Sequence, residues 1–222
     1  MSGLLAQAAK RILLPLAVLQ LVMIGLGLLI SGITAEDAVN RFLAGHRTGV
    51  GNAITAFWSF VGSTPAIIGV TVIAAIVLRL TLHRWREAIF LCAAVAAQAV
   101  IFFFTTLAID RHRPAVQHLD ESPPTSSFPS GHTSAATALY CGLAVVLTML
   151  LHHTWAKRLA WLLVLVPLAV GASRLYRGMH HPTDVLSSLF SASMCLVIMA
   201  KSILDRAVSW TIPHHRRALQ QA

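Results

Sequence analysis

AIFLCAAVAAQAVIFFFTTLAI, residues 88–109, runs between Glu87 and Asp110 without one charged side chain. A helix of about 20 apolar residues crosses the ~30 Å hydrocarbon core of a bilayer. The stretch therefore predicts a transmembrane helix, and the whole composition agrees with it. Of 222 residues, 56% are hydrophobic and 11% charged, with mean hydropathy +0.72. An ordinary soluble domain carries about 25% charged residues. So few charges cannot cover a soluble surface, and disorder is excluded because low hydrophobicity is its signature. The net charge of +9 would suggest nucleic acid on a soluble protein. On this background it points to the surface of a bilayer, with no nucleic-acid partner.

On either side of residues 88–109, further apolar runs predict spans at 12–30, 57–78, 135–151, 159–173 and 185–200. The expectation is an all-α integral membrane bundle of six transmembrane helices in a single domain, residues 1–222. The first run has a competing reading as a cleavable signal, because small residues follow at Gly32 to Ala35. A signal's apolar core is about 7–15 residues, so the longer run is read as a retained helix. Residues 34–45 predict a short amphipathic helix, with Thr34 as cap, Asp37 three residues on and Gly45 at its end. A polar loop rich in proline and serine fills 110–131. Cys92, Cys141 and Cys195 sit inside apolar runs and read as small buried hydrophobes.

Lysine and arginine set the expected orientation. Lys10, Arg11, Arg79, Arg84, Arg86, Lys157, Arg158, Lys201, Arg206, Arg216 and Arg217 fall on one side, and Arg41, Arg47, Arg111, Arg113, Arg174 and Arg177 on the other. The positive-inside rule places the larger group, and both termini, in the cytoplasm. The long loop then faces outward, in what the spans predict to be the plasma (cell) membrane.

Three polar clusters interrupt that outer side: Asp110 to Pro114, Pro129 to His132, and Ser173-Arg174 followed by His180 and Asp184. Ionisable groups at membrane depth are costly and default to a functional reading. Arg113 and Arg174 offer forked donors suited to phosphate oxygens. Ser130 and Gly131 lead into a helix start, where backbone N–H groups favour an anion. An anion site beside His132 and His180 suggests phosphoryl chemistry, with one nucleophile and one acid/base. Pro182 suits the first position of the last span and puts Asp184 in its first turn. From there Asp184 is expected to accept the Nδ1 hydrogen of His180 and leave Nε2 free to attack.

These residues resemble the three signature motifs of the type 2 phosphatidic acid phosphatase family, which shares its site with the vanadium haloperoxidases. P-S-G-H matches in full at Pro129 to His132. S-R-x5-H-x3-D matches in full at Ser173, Arg174, His180 and Asp184. K-x6-R-P matches at Arg113 and Pro114, while its lysine position holds Thr106. The motif region is therefore 106–184.

The resemblance implies a lipid phosphatase needing no metal or other cofactor, and it implies roles. His180 would be the nucleophile that becomes a phosphohistidine, oriented by Asp184. His132 would protonate the leaving group and then activate water. Arg113, Arg174, Ser130, Gly131 and Ser173 would hold the phosphate, with Thr106 at the lysine position. Arg111 is a candidate to supply the charge that Thr106 lacks.

Other polar residues carry blander expectations. His112, His118 and His181 read as interfacial or loop residues, Asp120 and Glu121 as solvated loop charges. Ser187, Ser188, Ser191 and Ser193 read as positions allowing close helix packing. The run 159–173 is about 22 Å long as a helix, which would seat Arg174 at or just inside the outer headgroup layer and favour a lipid phosphate or pyrophosphate arriving from the bilayer. Two other classes remain on the sequence alone: a vanadate-dependent haloperoxidase, and a catalytically silent lipid-phosphate binder or transporter.

Overall fold

The structure, a computed structural model, describes residues 7–121 and 125–205. Among the described residues, six helices are long and apolar enough to cross a membrane: α1 Ala9–Ile30, α4 Thr64–Leu82, α5 Arg86–Ala108, α6 Gly131–Leu150, α7 Thr154–Tyr176 and α8 Pro182–Leu204. Two shorter helices, α2 Asp37–Gly45 and α3 Gly49–Val61, lie between α1 and α4. The expected all-α bundle of six spans is the observed architecture. Arg206, Arg216 and Arg217, counted above toward the basic side, lie outside the described residues.

Span ends differ from hydropathy. Residues 57–60, expected within the second span, belong to α3, and the chain breaks at Gly62 before α4 begins at Thr64. The fifth helix is 23 residues long, not 15, because the polar stretches Thr154–Arg158 and Arg174–Tyr176 are helical too. A short span therefore does not explain the depth of Arg174. Helix geometry tolerates polar residues at its ends, whereas a hydropathy window stops at them. Within α7 a tight turn at Trp161–Val164 precedes Pro167, which has no N–H for the Leu163 carbonyl. The α2 cap also differs: Glu36 occupies the cap position and the Thr34 carbonyl accepts the Asp37 amide at 3.1 Å.

The helices turn large apolar side chains outward. Leu21, Leu29, Ile73, Leu80, Phe103, Leu107 and Leu186 are exposed, as lipid-facing positions are. The buried face mixes small and polar residues with a few large apolar ones. On α5 it runs Glu87, Leu91, Ala94, Gln98, Ile101, Thr105, steps of three and four that keep one stripe inward. On α8 it runs Asp184, Ser188, Ser191, Cys195, Met199. The small residues among them let backbones approach, the main resource for helix association in lipid. α1 joins α5 and α8 through Leu19, Met23, Gly27 and Ile30. A Cβ on Gly27 would sit 2.6 Å from the Ile109 side chain, so only glycine permits that crossing.

Candidate active site

The site forms where the first turns of α6 and α8 meet the last turn of α7. Ser130 caps α6: its hydroxyl accepts the Thr133 amide at 3.4 Å, and its own amide donates to Ser188 Oγ at 2.7 Å. The amides of Gly131 and His132 come next, and the first amides of a helix have no carbonyl within it. Pro182 opens α8 and Asp184 lies in its first turn, as expected from sequence.

His180 sits in the connection between α7 and α8 and is buried. Its Nδ1 lies 2.7 Å from the Ser127 carbonyl oxygen. A carbonyl only accepts, so Nδ1 carries the hydrogen and Nε2 keeps its lone pair. The Asn40 side chain on α2 donates to the His180 carbonyl at 3.0 Å and fixes the backbone there. Burial pushes the imidazole pKa below its ordinary value, against the pull of the Asp184 carboxylate.

Asp184 does not make the hydrogen bond to His180 Nδ1 that the sequence reading expected. Its Oδ2 lies 3.8 Å from His180 Nδ1, too far for a hydrogen bond. It accepts instead from Arg111, from the His181 amide at 2.8 Å and from His181 Nδ1 at 3.3 Å. The carbonyl of Ser127 has displaced it as the partner of His180 because the Ser126–Ser127 turn packs over that nitrogen. Arg111 is thereby committed: it also meets Glu36 at 3.1 Å and Thr183 Oγ1 at 2.8 Å. It does not supply the charge missing at Thr106. His181, expected in a loop, is buried and bridges Asp184 to Asp37, 3.1 Å from its Nε2.

Arg113 and Arg174 both reach the cavity beside His180. Arg113 Nη1 donates to the Met179 carbonyl at 2.7 Å, while its Nε is buried with no hydrogen-bond partner among the described residues. Burial lowers the Arg113 pKa and the charge of Asp184 opposes that shift. Arg174 Nη1 donates to Ser59 Oγ at 2.6 Å and Asp120 Oδ2 at 2.5 Å, and its Nε is likewise buried without a partner. Asp120, expected to be solvated, also accepts from Arg177 Nε at 2.8 Å and Nη2 at 2.6 Å. Burial alone would raise its carboxyl pKa, but the Arg177 hydrogen bonds and the charges of Arg174 and Arg177 hold it down at about 2.

Arg113, Gly131, His132, Arg174 and His180 line one cavity of about 380 Å³, whose other wall is Ile67, Ile68, Val95, Ala99 and Phe102. A second hollow of about 300 Å³ adjoins it, sharing Glu121, His132 and Arg174 and adding Ser59, Ser63 and Asp120. Four expected residues stay outside the cavity wall: Asp184, held by Arg111 and His181 as described, and Ser130, Ser173 and Thr106. Ser130 is the cap described above. Ser173 Oγ donates to the Val170 carbonyl at 2.7 Å. Thr106 Oγ1 donates to the Phe103 carbonyl of its own helix at 2.8 Å.

Sequence reasoning missed Ser59, Asn40, Glu36 and Asp120, which belong to the chain before the motifs or to the loop between them. Arg177 could have been found, since it follows Arg174 by three residues and caps the end of the same helix.

The sequence profile of the PAP2 superfamily matches residues 87–207. Undecaprenyl-diphosphatase BcrC of Bacillus subtilis is 37% identical over 100 residues, 43% of this chain and 47% of that protein. The match thus spans about half the length of that relative. The crystal structure of a transmembrane PAP2-type phosphatidylglycerolphosphate phosphatase from Bacillus subtilis superposes with TM-score 0.72 at 21% identity, covering 88% of this chain and 98% of the other. Aquifex aeolicus LpxE superposes with TM-score 0.57 at 22% identity, covering 78% of this chain and 98% of its own. At such identities the two superpositions are likenesses of fold, which the motifs and the matched half of the chain extend to ancestry: the chain belongs to the PAP2 superfamily.

Proposed function

We propose that the chain is a single-domain membrane phosphatase that hydrolyses lipid phosphates or pyrophosphates through a phosphohistidine at the extracytoplasmic face. One observation carries the reading: a buried histidine with its Nε2 bare faces the same cavity as a second histidine and two arginines whose Nε donors lack partners. A phosphoryl group is what such donors and such a nucleophile are built to meet.

The chemistry follows in two steps. His180 Nε2 attacks phosphorus, the bond to the leaving oxygen breaks, and His132 gives that oxygen its proton. Water then attacks the phosphohistidine, His132 takes the water's proton, and inorganic phosphate leaves with His180 restored. Arg113, Arg174 and the amides of Gly131 and His132 stabilise the charge on the transferring group. Asp184 acts on His180 through space as a nearby negative charge and holds the start of α8. Ser130 and Ser173 shape the helix ends that present these donors.

A lipid is favoured over a soluble ester by the apolar wall of the cavity, made by residues of the spanning helices α4 and α5. The uneven split of lysine and arginine favours a plasma-membrane protein with cytoplasmic termini and an outward site. Reagent added outside intact cells is then expected to label a cysteine placed at exposed His112; labelling only after permeabilisation would reverse the orientation.

The decisive experiment measures phosphate release in detergent with EDTA present, from polyprenyl diphosphate, phosphatidylglycerol phosphate, phosphatidate and a soluble ester. Wild type is expected to turn over the lipids, and His180→Ala to abolish release. Brief incubation with labelled substrate should trap acid-labile, base-stable label on wild type and none on the variant. Vanadate is expected to inhibit. Absence of turnover from every lipid by folded protein would replace the phosphatase reading with that of a binder or transporter.

A further inference from the structure

Gln98 is a polar side chain in the middle of an apolar membrane helix, and it is 1% exposed. Its Oε1 is held by the Ser191 hydroxyl on α8 at 3.0 Å, while its Nε2 has no hydrogen-bond partner among the described residues. A buried amide donor left without an acceptor destabilises the fold that holds it. Its neighbours along α5, Ala94, Val95, Ala97, Ala99, Ile101 and Phe102, are all apolar, so the amide is the polar exception on this stretch of the helix.

The side chain lines the same cavity as His132, Arg174 and His180. It stands one helical turn before Phe102, on whose ring a Cβ at Gly131 would lie at 2.9 Å. Gln98 therefore shares one cavity with the anion donors Arg113, Arg174, Gly131 and His132 and with the apolar wall of α4 and α5. A leaving group that runs along that wall from a phosphoryl group held by those donors enters the space the Gln98 amide lines.

We infer that Gln98 Nε2 is a specificity-determining donor that reads an acceptor oxygen on the leaving group of the lipid substrate. The inference rests on the phosphatase reading above. Two leaving groups carry such an oxygen within reach of one cavity: the inner phosphate of a lipid diphosphate, and the ester carbonyl of a glycerolipid monophosphate. A prenyl monophosphate carries none beyond the bridging oxygen that His132 protonates. Ser191 is the positioning partner, since its hydroxyl decides which end of the amide faces the cavity.

The test compares kcat/KM for farnesyl diphosphate, farnesyl monophosphate and a short-chain phosphatidate in wild type and Gln98→Met, which keeps length and shape. A hydrogen bond to a charged acceptor is worth roughly tenfold or more in discrimination. The diphosphate-to-monophosphate ratio is therefore expected to fall about tenfold if the inner phosphate is read. A fall confined to phosphatidate against monophosphate identifies the ester carbonyl instead. Equal losses on all three substrates would make Gln98 structural and overturn the inference. Ser191→Ala, which frees the amide to turn, is expected to move the same ratio in the same direction by a smaller factor. That variant serves where Gln98→Met does not fold, and an unchanged ratio in it overturns the inference equally. Wild type inactive on every substrate is a different outcome, which removes the phosphatase reading itself.

Discussion

Replacing Arg111 by Met tests which group Asp184 serves. The Arg111 side chain is 2% exposed, that of Asp184 is 0%, and that of Glu36 is 12%. Breaking a buried pair by removing one partner typically costs 3–5 kcal/mol, because a charge is left uncompensated. Glu36 keeps the Thr183 amide and hydroxyl, each at 2.7 Å, and its partial exposure lets water approach. Asp184 keeps the His181 amide and ring but gains no water. The loss therefore concentrates on Asp184, at about 3–5 kcal/mol. For a chain of this size 1 kcal/mol shifts Tm by about 2–4 °C, so Arg111→Met is expected to lower Tm by about 6–20 °C. The assay is thermal unfolding in one detergent at one scan rate. Asp184→Asn in the Arg111→Met background removes the stranded charge and is expected to recover a good part of the shift. The paired cycle of Asp184→Asn with His180→Ala should show a much smaller coupling, because 3.8 Å separates the two groups. A Tm change below about 2 °C for Arg111→Met, or a His180 coupling larger than the Arg111 coupling, would refute the assignment.

Gly62→Ala places a Cβ 2.6 Å from Val170 Cγ1 and 3.3 Å from His132 Cβ. Overpacking costs about 1–3 kcal/mol, and the variant is expected to lose stability and lipid turnover together, measured by Tm and phosphate release. Asp120→Asn should lower kcat more than it raises KM, since Arg174 loses its orienting carboxylate while the cavity keeps its positive charge. Because the folded carboxyl is held at about 2, below an ordinary Asp, this ion pair stabilises the fold fully above about pH 4. That contribution is lost as pH falls toward 2, and a pH series of Tm should show a smaller acid-side decline in Asp120→Asn. The pKa of His180 is lowered by burial, which holds the nucleophile neutral as pH drops. The acid limb of kcat/KM is therefore expected below the ordinary imidazole value of about 6.5; a limb at or above that value contradicts the assignment. Thr106→Ala removes only a hydroxyl bonded to its own helix and is expected to change kcat/KM by less than about twofold.

Some of this protein is written in short stretches of sequence. A run such as residues 88–109 specifies a membrane helix because hydropathy acts residue by residue. Ser130 and Pro182 mark helix starts because capping involves only near neighbours in the chain. The P-S-G-H and S-R-x5-H-x3-D spacings pick out Gly131, His132, Arg174 and His180, which gather in the cavity, along with Ser130, Ser173 and Asp184, which stand behind its wall. Helix ends were less legible: the true ends of α7 rest on polar residues that continue a helix once it is packed, and the apolar run that hydropathy assigns to one span is broken at Gly62 into α3 and α4. The partners within the site depended on packing between segments far apart in sequence. His180 had two acceptors available, Asp184 four residues away and the Ser127 carbonyl 53 residues away. Proximity in the chain favoured the first, but the Ser126–Ser127 turn lies against the ring and supplies the second. Arg111 then occupies the carboxylate, and Asp120, which carried no local signal in its loop, closes on Arg174 and Arg177. A hydrogen bond has one short reach and a preferred direction, and only the assembled bundle fixes which donor and acceptor come within it.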